Sequence, residues 1–110
     1  MDSIPDSTNV FGLVSTSRSP ADVATLFPAN VWRIRKCSWT DYEAISEFAE
    51  LVIEASDPVL IHGPVADPAN NVPRVIAPLE SAGLSGSFEC YTADGALLFT
   101  QSFGDITGSG

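Results

Sequence analysis

TDYEAISEFAELVIEA, residues Thr40–Ala55, is the segment on which the interpretation of the whole chain depends. On a helix of about 3.6 residues per turn, its apolar side chains gather on one side. Its glutamates form one stripe on the other side: Glu43, Glu47, Glu50 and Glu54. Thr40 followed three residues later by Glu43 is typical of a capping box at a helix N-terminus. The segment therefore predicts an amphipathic surface helix with an acidic outer face.

The flanking sequence predicts strands that alternate with helices. Short apolar runs indicate strands over Asn9–Ser15, Asn30–Cys37, Val59–His62, Ser87–Thr92 and Ala96–Phe103. Further helices are predicted from Ser19 to about Phe27 and over Asn71–Ala82. The resulting order, βαβαβαββ, predicts an α/β fold with a small, mostly parallel mixed sheet and a C-terminal β-hairpin. Helices cover one or both sheet faces, and in the first case the second face carries Arg33 and Arg35.

Glycine and proline mark the element boundaries most clearly. Ser19-Pro20 is a typical helix start, and Gly83 a typical helix end. Ala93-Asp94-Gly95 indicates a tight hairpin turn. Gly12, inside the first strand, indicates a close backbone approach or a bulge. The turn-forming residues Gly63–Asn71 predict the longest loop, which we expect to be mobile and to meet a partner.

The composition predicts one globular domain over residues 1–110, with loose tails at 1–8 and 104–110. Apolar residues make up 45% of the chain and charged residues 17%, with a net charge of −9. Such an acidic surface repels nucleic-acid backbones and anionic membranes, so neither is an expected direct partner. It attracts a basic protein, although solubility or a high-salt environment would also account for it.

Two cysteines, Cys37 and Cys90, are too few for a disulfide framework and lack the spacing of a zinc motif. The N-terminus shows no signal-peptide pattern, and no segment is long enough to span a bilayer. The expected location is the cytoplasm, with both thiols reduced. Phosphate-loop, dinucleotide-binding and hydrolase motifs are absent from the sequence, so we expect neither cofactor nor metal.

The glutamate stripe has three interpretations. It is a solvated helix face, a docking surface for a basic partner, or a metal site. A second candidate is the Cys37/His62 pair, because both residues end predicted strands. In a parallel sheet the carboxyl ends of strands share one edge, where His62 would hold Cys37 as a thiolate and Asp67, Asn70 or Asn71 would orient the ring. The alternative is a packed thiol and a structural histidine, and Cys90 is expected in the core.

These signals favour a small, acidic, non-enzymatic binding protein. An immunity or inhibitor protein that covers the basic site of a toxin or nuclease fits this charge and size. The residues expected at the partner interface are Glu43, Glu47, Glu50, Glu54, His62, Asp67 and Tyr91. The alternatives are a structural subunit that self-associates, so a homo-oligomer stays open, and a small enzyme that uses Cys37 and His62.

Overall fold

The computed structural model of the protein describes residues 4–104. In this part of the chain there are seven strands and two helices. In chain order they are β1 (Val10–Ser15), α1 (Pro20–Ala24), β2 (Arg33–Lys36), β3 (Tyr42–Ile45), β4 (Glu50–Glu54), β5 (Val59–Gly63), α2 (Pro68–Ser81), β6 (Ser85–Tyr91) and β7 (Leu97–Phe103). Neither helix combines the length and apolar character needed to cross a membrane.

The seven strands form one sheet in the order β2-β3-β4-β5-β1-β6-β7, and all neighbours are antiparallel. The prediction of a mostly parallel α/β sheet with three helices is therefore wrong. Strands β2 to β5 are joined by short turns, which connect only antiparallel neighbours. The connections through α1 and α2 each join two strands that run in the same direction, but these two strands are not neighbours in the sheet. For example, β1 separates β5 from β6.

The segment Thr40–Ala55 is a β-hairpin, so the predicted acidic helix is wrong. Strands β3 and β4 pair with each other across a turn at residues 46–49, and each also pairs with an outer neighbour. A helix would have lined up glutamates with no base on the same segment to relieve their repulsion. In the hairpin Glu43 lies opposite Arg35 of β2. Partners distant in sequence therefore outweighed the helical periodicity.

Phe48 anchors the tip of this hairpin in an aromatic cluster. Its ring lies 5.2 Å from that of Trp32, which in turn lies 5.0 Å from Phe27. The guanidinium of Arg74 sits 4.0 Å above the Phe48 ring. Trp32 is buried, whereas Trp39 is 90% exposed in the β2–β3 turn. The hairpin tip is thus held by residues from the α1–β2 connection and from α2.

Both helices cover the same face of the sheet. Helix α1 packs near β3 and β4, and α2 packs near β6. The largest fully buried side chains come from one face of the strands, from the helices and from Val65 in the connection before α2: Val10, Val14, Leu51, Ile53, Ile61, Phe88 and Cys90 with Val23, Val65, Val72, Val75 and Leu79. The fold is a two-layer sandwich, so Arg33 and Arg35 lie on the uncovered second face, as that alternative predicted.

The predicted helix boundaries at Ser19 and Gly83 are confirmed. The Ser19 hydroxyl accepts a hydrogen bond from the Asp22 backbone N–H at 3.2 Å, which caps α1. Gly83 adopts a positive φ of 85°, and the Leu84 N–H donates to the Leu79 carbonyl at 3.1 Å. This is a Schellman motif, in which glycine takes the left-handed position without steric cost. Helix α1 is shorter than predicted.

The predicted long loop Gly63–Asn71 does not exist, because α2 already begins at Pro68. The connection that remains is tethered. Val65 and Ala66 are buried, and the Asn9 side chain bonds both to the Val65 N–H, at 2.8 Å, and to its carbonyl, at 3.0 Å. The expectation of a mobile recruiting loop therefore loses its structural basis.

The C-terminal hairpin of β6 and β7 is confirmed. The Gly95 N–H donates to the Thr92 carbonyl at 3.0 Å, and Gly95 has a φ of 91°. A bulge interrupts the pairing near Tyr91. The predicted tails fall partly outside the described residues, at 1–3 and 105–110, whereas Ile4 packs against the core.

Candidate functional site

Within residues 4–104, no helix or second sheet covers the sheet face opposite the helices, and we call it the open face. One row of side chains crosses all seven strands on this face, with each member opposite the next. The row runs Arg35, Glu43, Val52, His62, Phe11, Glu89 and Thr100. A parallel row runs Glu54, Leu60, Leu13, Ser87 and Ser102. The open face is therefore a continuous surface with an apolar middle.

We define the apolar centre as Phe11, Leu13, Val52 and Leu60, which lie on the three central strands β4, β5 and β1. Phe11 is 42% exposed and Leu13 50% exposed, although both sit in the middle of the sheet. Single exposed apolar residues are common on proteins, but a contiguous exposed cluster is characteristic of interaction sites. The apolar centre is such a cluster.

Aromatic contacts fix the shape of this centre. The rings of Phe11 and His62 are stacked with centroids 6.2 Å apart, and Tyr91 meets Phe11 edge to face at 6.0 Å. Rings held by one another lose little side-chain entropy when a partner covers them. The centre is thus pre-organised before any partner arrives.

Carboxylates border the apolar centre on both sides. On one side Glu54 contacts the His62 Nε2, and Glu43 accepts two hydrogen bonds from Arg35, at 2.6 and 3.0 Å. On the other side Glu89 accepts a hydrogen bond from the Tyr91 hydroxyl at 2.7 Å. That bond, followed by desolvation and by the charge of Glu89, raises the pKa of Tyr91. The border is acidic, with arginines only at the β2 margin.

Two shallow hollows lie beside the N-terminal residues Ser7 and Thr8, which line both of them. One hollow lies against Phe11 and Tyr91 near the β6–β7 turn. The other lies over β2 to β4 and contains both arginines of the open face and the carboxylates of Asp6, Glu43 and Glu50. Both hollows adjoin the open face, so a partner docked there would have room for its side chains on either side of residues 7–8.

The structure brings five of the seven predicted interface residues onto the open face: Glu43, Glu50, Glu54, His62 and Tyr91. Two lie elsewhere. Glu47 is exposed in the β3–β4 turn, and Asp67 precedes α2, where its carboxylate accepts a hydrogen bond from the Asn70 side chain at 2.7 Å. The glutamates therefore do not form one stripe, because they lie on two strands and a turn.

Sequence reasoning missed Phe11, Leu13 and Leu60. The run Asn9–Ser15 is apolar on both faces, a pattern that predicts a strand buried on both sides. The observed burial alternates strictly along β1. No local signal distinguishes the two faces of this strand, because which face is buried depends on where the helices pack.

The structure does not bring Cys37 and His62 together. Cys37 follows β2, and two strands separate β2 from β5 in the sheet, so their backbones are about 14 Å apart. The Cys37 side chain is exposed, and its pKa is raised by desolvation and then by the charges of Glu43 and Asp41. A raised pKa is the opposite of what an activated thiolate needs. Cys90 is buried, as predicted.

Within residues 4–104, no group of three or more histidine, cysteine, aspartate or glutamate side chains is arranged to hold a metal ion. The features that remain are the apolar centre and its acidic border. Comparisons of this chain with protein-family models, with curated proteins and with solved structures find no match.

Proposed function

We propose that this protein is a non-catalytic binding protein whose open face docks a partner protein with an apolar patch and a basic rim. The observation that carries the proposal is the exposure of Phe11 and Leu13 at the centre of a seven-stranded sheet. Burying such side chains releases roughly 25 cal/mol for each Å² of apolar surface. A partner that covers the centre would gain this energy without distorting the fold.

The charge pattern supports a basic partner over a second copy in this position. Four glutamates and two arginines lie on the open face, in a chain of net charge −9: Glu43, Glu50, Glu54 and Glu89, with Arg33 and Arg35. Because carboxylates border the centre on both sides, two stacked copies would bring like charges together. A basic rim meets the same carboxylates favourably and is steered toward them.

An inhibitor or immunity role is the narrower form of this proposal. The active sites of nucleases are basic because they bind phosphate, and carboxylates on a rigid sheet would compete for the same groups. The apolar centre would then seal the contact, while Glu54 and Glu89 would contact basic side chains at its rim. Such a protein acts by covering a site, so it needs no chemistry of its own.

A matched pair of charge insertions tests the proposal. Leu13→Glu places a charge in the apolar centre, whereas Val31→Glu adds the same charge outside it, at a side chain that is 40% exposed. Tagged wild-type and variant proteins would be used to capture binders from a lysate of the source cells, followed by quantitative mass spectrometry. We expect one basic protein to be retained by the wild type and by Val31→Glu and to be lost with Leu13→Glu.

The purified binder then gives the decisive measurement. Its association rate with the wild type should fall steeply as salt rises, and Glu54→Gln with Glu89→Gln should reduce both the rate and its salt dependence. Equal capture by the Leu13→Glu and Val31→Glu proteins would show that the open face is not the docking surface. Folding of each variant is checked by circular dichroism and thermal unfolding.

A further inference from the structure

The two edges of the sheet are built differently. Strand β2 forms one edge, and its sequence RIRK carries three of the chain's five basic residues. Strand β7 forms the other edge, and its sequence LLFTQSF has no charge and no proline. Charged side chains on an edge discourage further strand pairing, and an uncharged edge invites it. Only β7 lacks this protection.

The regular part of β7 spans Phe99–Phe103. The bulge near Tyr91 distorts the pairing at the Leu97 end, whereas each residue of Phe99–Phe103 lies opposite one residue of β6. In the described part of the chain no other strand pairs with β7, so alternate backbone N–H and C=O groups of this segment point away from the sheet. A five-residue template for an added strand is therefore available.

We propose that β7 pairs antiparallel with β7 of a second copy of this chain, about a two-fold axis at Gln101. In this register Thr100 lies opposite Ser102 of the other copy on the open-face side. On the helix side Phe99 lies opposite Phe103 of the other copy. Hydroxyl pairs and aromatic pairs directly opposite each other stabilise antiparallel strands. The strand is therefore complementary to itself in the register that the two-fold axis selects.

Electrostatic repulsion opposes contact with a second copy less at β7 than at the acidic surfaces of the protein. Two chains of net charge −9 repel each other, yet β7 contributes no charge to the contact. The nearest row carboxylate, Glu89, lies one strand inside the edge. Three strand spacings would separate the Glu89 residues of the two copies, about 14 Å, which exceeds the screening length of about 8 Å at physiological salt. Repulsion between the open-face carboxylates is therefore weak across this seam, and the Glu80 carboxylate lies at its end, 3.5 Å from the backbone nitrogen of Gly104.

Side chains on the helix side of β7 are partly exposed, so an added strand would bury more of their surface. Phe99 and Gln101 are half-buried, while Phe103 is buried at 5% exposure. The paired copies would form one fourteen-stranded sheet with both open faces on the same side. Because the open faces stay uncovered, this assembly is compatible with the proposed docking of a partner and does not rest on it.

Two charge-swap variants test the register. Thr100→Lys with Ser102→Lys places lysines opposite lysines across the seam, whereas Thr100→Lys with Ser102→Glu places lysine opposite glutamate. Sedimentation velocity over a concentration series should show wild-type mass rising from 11.6 kDa toward twice that value. We expect the double-lysine variant to stay monomeric although its lower net charge should favour association. The lysine–glutamate variant should dimerise at least as well as the wild type.

Cross-linking gives a readout that does not depend on dimer strength. In a Cys37→Ser background, Gln101→Cys should form a disulfide-linked dimer under mild oxidation, because the two-fold axis sets this position opposite itself. Thr100→Cys, one residue away on the other face, should not. A wild-type chain that stays monomeric at every concentration would overturn the proposal. So would open-ended assembly into filaments, or equal dimerisation of both charge-swap variants.

Discussion

The two faces of the sheet use the same kinds of side chain for different purposes, and β1 shows this within six residues. Val10, Gly12 and Val14 point toward the helices and are buried, whereas Phe11 and Leu13 point to the open face. Apolar character alone therefore does not identify core in this protein. What separates the two faces is whether another layer of the fold covers them, so we expect changes on the covered face to act on folding and changes on the open face to act on binding.

The largest expected effect comes from a pair of identical substitutions. Leu51 is fully buried on the covered face, and Leu13 is 50% exposed on the open face. Leu51→Ala should lower the free energy of unfolding by about 2–5 kcal/mol, because it removes buried methyl groups and leaves a cavity. Leu13→Ala should change it by about 0.5 kcal/mol or less. Urea unfolding measures both, and similar losses would contradict the assignment of the two faces.

A second prediction concerns the tightest packing on the covered face. Gly12 lies opposite Phe88, and a Cβ atom on Gly12 would come 2.3 Å from the Phe88 ring. Gly12→Ala should therefore lower the free energy of unfolding by about 1–3 kcal/mol through overpacking. Phe88→Leu replaces the ring with a smaller side chain and should relieve part of this strain. The double variant should therefore lose less free energy of unfolding than the two single variants lose together. Strict additivity would show that the ring does not lie on the glycine.

The smallest expected effect concerns Asp41, which lies on neither face. Its Oδ1 accepts a hydrogen bond from the Ala55 N–H at 3.0 Å, and this bond is the main reason that the pKa of Asp41 is lowered. A lowered pKa means that the folded state favours the ionised carboxylate. The resulting stability is present above the unfolded pKa, near 3.8, and is lost as pH falls through the folded value.

Thermal unfolding at intervals from about pH 5 to about pH 2 checks this prediction. Asp41→Asn should destabilise the protein slightly at the upper end of this range and make less difference at the lower end. Asp22→Asn is a matched control on an exposed carboxyl whose side chain makes no hydrogen bond of this kind. The same pH profile for both variants would argue against the role of Asp41.

Local signals in the sequence predicted the parts of the fold that depend on a few neighbouring residues. Ser19 capped the first helix, Gly83 ended the second, and Gly95 closed the last hairpin, because each restricts the backbone within one turn of itself. Gly12 also marked the close approach that Phe88 makes. The net charge and the residues of the acidic border, including Glu43 and Glu54, could likewise be taken directly from the sequence.

Only the tertiary structure decided what the segment Thr40–Ala55 became. Its periodicity suits a helix, but its backbone groups pair with those of β2 and β5 instead. In addition, Phe48 packs against residues that are distant in sequence. Because that segment is a hairpin, β2 to β5 are joined by short turns and are antiparallel. Only two helices then remain in the described part of the chain, and both cover the same face of the sheet. The open face follows from that count of helices, which no local pattern contains, because burial depends on which distant elements come to cover a strand.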